Sequence, residues 1–433
     1  MQRVDHGVDQ GIALDQLDTL VTTLDLIRFG HAHTRPALAR RAGLGRTVVN
    51  QRLAQLIDSG LVEPGRLGPS TGGRAPRELR FRSEAGTVLV AELGATSLGV
   101  GLADLAGGLI GQREEPWDIA AGPQATLARV EELFDAALTE HQPAPVWAVG
   151  IGVPGPVEFA SGRPVAPPIM PGWDGYPVRD QLAARYDVPV WVDNEVNTMA
   201  LGEYRAGLGQ GCEQLICVKI GTGIGAGLIS GGRLHRGAQG CAGDIGHIGL
   251  ASEVLAAAPA ALDQVCRCGN TGCLEALAGG AALARDATEA ARSGRSAELA
   301  RRLAENGHLT AVDVSRAAEF GDPVAVELLR RAGRLVGETL AALVNFFNPS
   351  MVLLGGGVSD AGDVLLAAIR QAVFRRSLPL ATRDLRIARA QLGDRAGLMG
   401  AGFMVVDELF SRERLGRWIL SGTPAGRPAL AAG

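Results

Sequence analysis

The chain has 433 residues, more than one compact core accommodates, and suits two or three domains. Its composition, 46% apolar and 20% charged, is enough to build a sizeable core, and no apolar run approaches the roughly 20 residues of a membrane span, which excludes a helical membrane protein. The net charge is −4 but uneven: from Arg28 to Arg82 eleven arginines face three acids (Asp58, Glu63 and Glu78), a basic block that points to a local polyanion site. The first ten residues are polar and acidic, unlike a signal peptide, so the expected compartment is the cytoplasm. Thiols there stay reduced, and the six cysteines are read as metal ligands or buried thiols before disulfides. Lys219 is the only lysine, so the positive charge is almost all Arg; that bias is read as base composition and given no functional weight.

Residues 1–16 carry no strong pattern and are expected to be disordered. Leu17, Leu20, Val21, Leu24 and Ile27 then recur at helical spacing. Thr34-Arg35-Pro36 is a helix start, and Leu38 and Ala42 continue it to Gly43. A second helix runs from Arg46 to Ser59, with Val49, Leu53, Leu56 and Ile57 inward and Gly60 as its stop. Leu61-Val62 begins an extended piece, residues 64–77 are rich in Gly, Pro and Arg, and 79–81 closes a hairpin. Helix, turn, helix and basic hairpin make a winged helix-turn-helix over 17–83. Side chains at the start of the second helix would reach base edges and phosphates: Arg46, Thr47, Asn50, Gln51 and Arg52. Gly72-Gly73-Arg74 would let the hairpin lie close to DNA, with Arg74 and Arg77 on phosphates or in a narrow minor groove. The alternative is a helical protein-interaction module with a solvated charged face.

The character changes at Gly86. Strands are expected within 87–103, 148–153, 188–192, 215–229 and 351–354, with alanine-rich helices across 274–345; this alternation is α/β. This α/β region is bounded at 86–405. The tail, 412–433, is weakly patterned, and 422–433 is expected to fray. Three glycine loops punctuate the region: Gly94 and Thr96; Gly221, Thr222, Gly223 and Gly225; Gly355, Gly356 and Gly357. Such loops let backbone N–H groups approach phosphate oxygens, although tight turns explain any one of them equally well. Three spread over two similar halves fit the two-lobed actin/hexokinase-like (ribonuclease H-like) fold, with nucleotide in the cleft between lobes.

Asp193-Asn194-Glu195 follows a strand, where a carboxylate beside an amide suits sugar hydroxyls and one carboxylate could serve as a general base. Asp244 and His247 precede Cys266-x-Cys268-x4-Cys273 and Glu275. One His and three Cys make the four ligands of a closed structural zinc site; a chance cluster of buried thiols is the alternative. A zinc would staple the loop that carries Asp244, His247 and Glu275. Cys212, Cys217 and Cys241 are read as core or inert thiols.

Taken together, Gly150-Ile-Gly-Val-Pro-Gly-Pro-Val157, Gly172-Trp173, Asp193-Asn-Glu-Val-Asn197, Gly221–Gly227, Gly243-Asp-Ile-Gly-His247, the cysteine knuckle through Glu275 and Leu354-Gly-Gly-Gly-Val358 resemble the ROK family (repressors, open reading frames and sugar kinases), in particular its members with an N-terminal winged helix. The resemblance covers about residues 17–405. It implies sugar contacts at Gly155, Asn194, Glu195, Asp244, His247 and Glu275, and a structural Zn2+ at His247, Cys266, Cys268 and Cys273. Three residues depart from the family kinases: Glu92 and Glu195 stand where the kinases carry Asp, and Asp244 where they carry Glu. A methylene moves a carboxylate by roughly 1 Å, and misplacement of that order can cost about a hundredfold in rate. The expectation is therefore a sugar-responsive DNA-binding repressor whose degenerate kinase domain is the sensor, with Glu195 a vestigial base. Its partners would be operator DNA and a sugar effector, on a homodimer or dimer of dimers, with no membrane. The rivals are an ATP-dependent hexose kinase carrying a DNA-binding domain and a zinc-stabilised scaffold that binds neither ligand.

Overall fold

The computed structural model describes residues 14–67, 77–250, 264–359 and 363–432. The chain opens with α1 (Leu14–Arg28), α2 (Arg35–Ala42), α3 (Arg46–Asp58) and an antiparallel hairpin of β1 (Val62–Leu67) and β2 (Arg77–Phe81). The local chemistry is legible. Thr34 caps α2 by accepting from the Ala37 N–H at 3.4 Å, Pro36 sits in its first turn, and Gly43 ends it at φ 66°. Leu17, Leu20, Leu24, Leu38, Val49, Leu53 and Leu56 bury a shared core between the three helices. One expectation needs correction: Leu14–Gln16 form the first turn of α1 rather than a disordered end, with Asp15 placed favourably for the helix dipole. The rest of the expected disordered segment lies outside the described residues, as does the hairpin tip with Arg74.

Lobe one comprises β3 (Thr87–Leu93), β4 (Ser97–Asp104), β5 (Leu109–Pro116), α4 (Pro123–His141), β6 (Val146–Val153), the short β7 (Val157–Glu158) and β8 (Arg163–Pro164), α5 (Val178–Tyr186), β9 (Val190–Asn194) and α6 (Glu195–Ala206). Its sheet order is β5-β4-β3-β6-β9: a three-strand antiparallel meander joined to two parallel strands. Lobe two repeats the plan with β10 (Gln214–Ile220), β11 (Ile224–Ser230), β12 (Arg233–Leu234), α7 (Leu274–Ala278), α8 (Gly280–Arg292), α9 (Ala297–Asn306), α10 (Ala311–Glu319), α11 (Pro323–Phe347), β13 (Met351–Gly355), α12 (Asp363–Arg376), α13 (Pro379–Thr382) and β14 (Arg386–Arg389), in the order β12-β11-β10-β13-β14. The same sheet twice is the two-lobed actin/hexokinase-like architecture. β3, β6 and β10 are almost wholly buried, as strands covered on both faces must be.

The chain then returns to lobe one as α14 (Arg395–Leu409), which packs against β3 and β6 while α6 packs against β10 and β11. The two helices lie on each other along the seam between the sheets. Gly400 permits this: a Cβ there would overlap the Thr198 carbonyl. The tail corrects a second expectation. It does not fray but folds as α15 (Arg412–Trp418) and two 3-10 turns, with Leu415, Trp418, Ile419, Leu430 and Ala431 buried. The Trp418 indole donates to the Leu409 carbonyl at 2.9 Å and stands edge-on to Trp147, 5.4 Å between centroids. It shares one continuous core with α1–α3 and lobe one. No helix among the described residues is long and apolar enough to cross a membrane.

Candidate functional site

Between the lobes lies a cleft of about 370 Å3. It gathers every residue expected to meet sugar or nucleotide: Gly155, Asn194, Glu195, Asp244, His247 and Glu275, together with Gly94, Thr96, Gly221, Thr222, Gly223, Gly225, Gly355, Gly356 and Gly357. The glycine loops, Gly155 and Asn194 lie at or just beyond the ends of β3, β6, β9, β10 and β13, Glu195 starts α6, Asp244 and His247 flank a 3-10 turn, and Glu275 lies in α7.

Each group is held by local structure. Asn194 is the N-cap of α6: its Oδ1 accepts from the Val196 N–H at 2.8 Å and its Nδ2 donates to the Gly155 carbonyl at 2.8 Å. Most of its hydrogen-bonding capacity thus shapes the site. Asp193 is buried and accepts from Arg236 Nε at 2.6 Å and Asn197 Nδ2 at 2.8 Å, so it supports the turn from beneath. Glu275, in the first turn of α7, accepts from the Ile224 N–H at 3.0 Å. Gly223 must be glycine for this, since a Cβ would overlap the Glu275 carboxylate. Burial pushes the Asp244 carboxyl above its usual range, with His247 opposing and Glu275 reinforcing the shift.

Sequence reasoning missed the residue at the centre. Lys219, near the end of β10, donates to Glu195 Oε2 at 2.7 Å and to Glu92 Oε1 at 3.3 Å, joining lobe two to both altered carboxylates of lobe one. The sequence reading gives the single lysine no functional weight, and that is corrected: it is a half-buried residue of the cleft. The available signal was position, two residues before the Gly221 loop. Burial disfavours its charge, but Glu195 and Glu92 outweigh that and hold the ammonium well above its ordinary value. Glu92 is pushed up to about 7, chiefly by burial, with Lys219 opposing and Glu195 adding to the rise.

His247, Cys266, Cys268 and Cys273 converge beside this wall, their ligand atoms all within 4.8 Å of one another. Cys268 Sγ is 3.7 Å from Cys273 Sγ, and Cys266 Sγ is 3.6 Å from His247 Nδ1. A tetrahedron with bonds of about 2.3 Å has edges of about 3.8 Å, so the donor set could hold a metal ion of that kind. Of the other thiols, expected to be core or inert, Cys217 is buried in the core, whereas Cys212 is half-buried and Cys241 is exposed and is no core thiol.

On the N-terminal module, Arg46, Thr47, Asn50 and Gln51 are exposed along one side of α3, and Arg77 is exposed on β2. Arg52 is not available to DNA. It is 7% exposed, and its guanidinium turns back to Thr19 Oγ1 and Gln55 Oε1, each at 2.8 Å. One position along the helix from Gln51, it rotates onto the inner face.

A sequence model described as the ROK family matches residues 88–408. The chain belongs to the ROK family. Among ROK relatives it is 30% identical to a xylose repressor of Caldicellulosiruptor bescii over 381 residues, covering 87% of this chain and 92% of that one. A solved ROK glucokinase from Streptomyces griseus, in complex with glucose and AMPPNP, is 33% identical with a TM-score of 0.63, covering 74% of this chain and 99% of that one. A solved ROK transcriptional regulator, described as a homolog of E. coli MLC protein, shares the fold over 97% of this chain and 100% of its own, with a TM-score of 0.77 at 24% identity.

Proposed function

We propose that this ROK protein is a sugar-responsive transcriptional repressor acting in the cytoplasm. The winged module, 17–83, grips operator DNA, the ROK domain, 86–405, binds a sugar in the interlobe cleft, and the tail, 412–433, fastens one to the other. The observation that carries the reading is the exposed side of α3, where Arg46, Thr47, Asn50 and Gln51 stand together on a module with a surplus of positive charge. The comparisons support it. The match to the xylose repressor takes in 87% of this chain, more than the stretch from residue 88 onward can supply, whereas the glucokinase match takes in 74%.

The sugar meets Gly155, Asn194, Glu195, Asp244, His247 and Glu275. Zn2+ is held by His247, Cys266, Cys268 and Cys273, where it does no chemistry and braces the wall that presents Asp244 and Glu275. Two copies, as a homodimer or dimer of dimers, set two recognition helices on a two-fold operator, and sugar binding changes their fit to the half-sites. The test is binding to the DNA upstream of the protein's own gene, across a salt series. Salt-sensitive binding is expected, with Arg46→Ala lowering the salt slope by about one and Arg52→Ala losing stability instead. Binding that is absent, or that ignores salt, overturns the reading. The retained Gly221–Gly227 loop favours a second reading, an ATP-dependent hexose kinase with a DNA-binding domain, which requires ADP release with some hexose.

A further inference from the structure

Lys219 is a cleft residue to which the repressor reading gives no task. A flexible surface lysine would need none. This one is the chain's only lysine, is half-buried in the cleft wall, and is shared by two carboxylates of the opposite lobe at 2.7 and 3.3 Å. The three glycine loops line the same cleft. Together these features test whether a metal–nucleotide complex suits the site.

Phosphoryl transfer makes two demands on such a cleft. A divalent cation must be held, through carboxylate and phosphate oxygens, where it neutralises the transferring group. A carboxylate must also be free to take the proton of the attacking hydroxyl. Lys219 opposes both. Its ammonium already satisfies Glu92 and Glu195, and its fixed positive charge repels a second cation at those oxygens. It also donates to Glu195, which stands at the base position, so accepting a proton there would mean breaking the 2.7 Å ion pair. The glycine loops would admit phosphates, but the carboxylate pair does not fit the metal that accompanies them.

We propose that Lys219 is a resident cation that takes the metal's place, making the cleft a site for a sugar bound without a metal–nucleotide complex. The ammonium joins β10 to Glu92 of β3 and Glu195 of α6, so the two lobes are drawn together in the absence of nucleotide. The ligand class is a free sugar recognised through its hydroxyls. This rests on the cleft being a sugar site, and the experiment separates the two ideas.

The full-length protein is melted with Mg2+ alone, with Mg2+ and AMPPNP, and with a panel of sugars in the presence and absence of that nucleotide. Wild-type protein is expected to show no shift with millimolar Mg2+ or Mg–AMPPNP, and its sugar shift is the same with or without nucleotide. Lys219→Met leaves two unbalanced carboxylates; it melts lower in EDTA and recovers by several degrees with Mg2+. Lys219→Arg keeps the charge and stays indifferent to Mg2+. A shift of wild-type protein by Mg–AMPPNP, or a sugar shift that requires it, overturns the proposal even if Lys219→Met does not fold. Equal Mg2+ responses in the Met and Arg variants overturn it as well. If no sugar shifts the protein under any condition, the sugar-site reading fails while the Mg2+ comparison still stands.

Discussion

Glu92 shows how one carboxylate can tie stability to pH. Burial is the main reason its folded-state carboxyl titrates near 7 instead of its ordinary 4.5; Lys219 pulls against the shift and Glu195 adds to it. A folded pKa raised above the unfolded one means that the unfolded chain releases this proton first as pH rises. The Glu92 contribution is therefore least harmful below about 4.5, worsens through the window up to about 7, and is level above it. Glu92→Gln removes the titration. In thermal melts, the difference between variant and wild type should move in the variant's favour from pH 4.5 to 7 and then stay constant, apart from any fixed offset. A difference that is flat across that window, or that runs the other way, contradicts the assignment. Lys219 and Arg52 also mark what residue types alone could not disclose. The partners of Lys219 lie 24 and 127 positions away in the chain, and only the folded sheets bring them together. Arg52 and Gln51 are both plausible DNA-reading types, and a rotation of one residue along α3 decides between them.

Among elements, the cysteine knuckle links sequence spacing most directly to the cleft. Cys273 is the N-cap of α7, Glu275 lies in that helix's first turn, and His247 ends the 3-10 turn that follows Asp244. The Leu274 N–H donates to the Ile248 carbonyl at 3.1 Å, stitching the two pieces side by side. The clustering of the four donors was legible because donor type and spacing are properties of the sequence. That they lie beside Asp244 and Glu275 of the cleft rather than stand apart was not, because it depends on how α7 meets the 3-10 turn after Asp244. Metal analysis of gently purified protein should give about one zinc per chain. Cys268→Ala should lose that metal, lower the melting temperature and weaken sugar binding together, since Glu275 would lose its anchored helix start. Retention of both metal and sugar affinity in the variant would separate the knuckle from the site. The α1–α3 pattern was equally legible, because capping residues and helical periodicity act locally, as Thr34, Pro36 and Gly43 illustrate.

For the whole molecule, the decisive feature is that the N-terminal module of α1–α3 and the β1–β2 hairpin is not hung on a loose linker. Arg28 of α1 donates to Asp407 of α14 at 3.1 Å, and the same carboxylate accepts from Arg205 of α6 at 2.7 Å. Phe81 of the hairpin stands edge-on to Phe410, and Phe410 in turn lies beside Trp418, with centroids 5.9 Å apart in both pairs. The tail thus fills the joint between module and ROK domain. It was unreadable in sequence because a few large apolar residues scattered among Gly, Pro and Arg show no period. Trp418 is the sharpest probe of this joint. It is fully buried and its indole N–H is satisfied, so replacement by Ala removes a large side chain from a core that cannot collapse freely. Trp418→Ala should cost about 3–5 kcal/mol in denaturant unfolding followed by far-ultraviolet circular dichroism. Because the core is continuous from α1 through Trp147 to the tail, wild-type module and lobe one should unfold in one transition. The variant should split that transition, with the module melting first. A loss below about 1 kcal/mol, or two separate transitions already in wild type, would mean that the tail merely covers the joint. The coupling of sugar cleft to DNA would then have to pass through α6 and α14 alone.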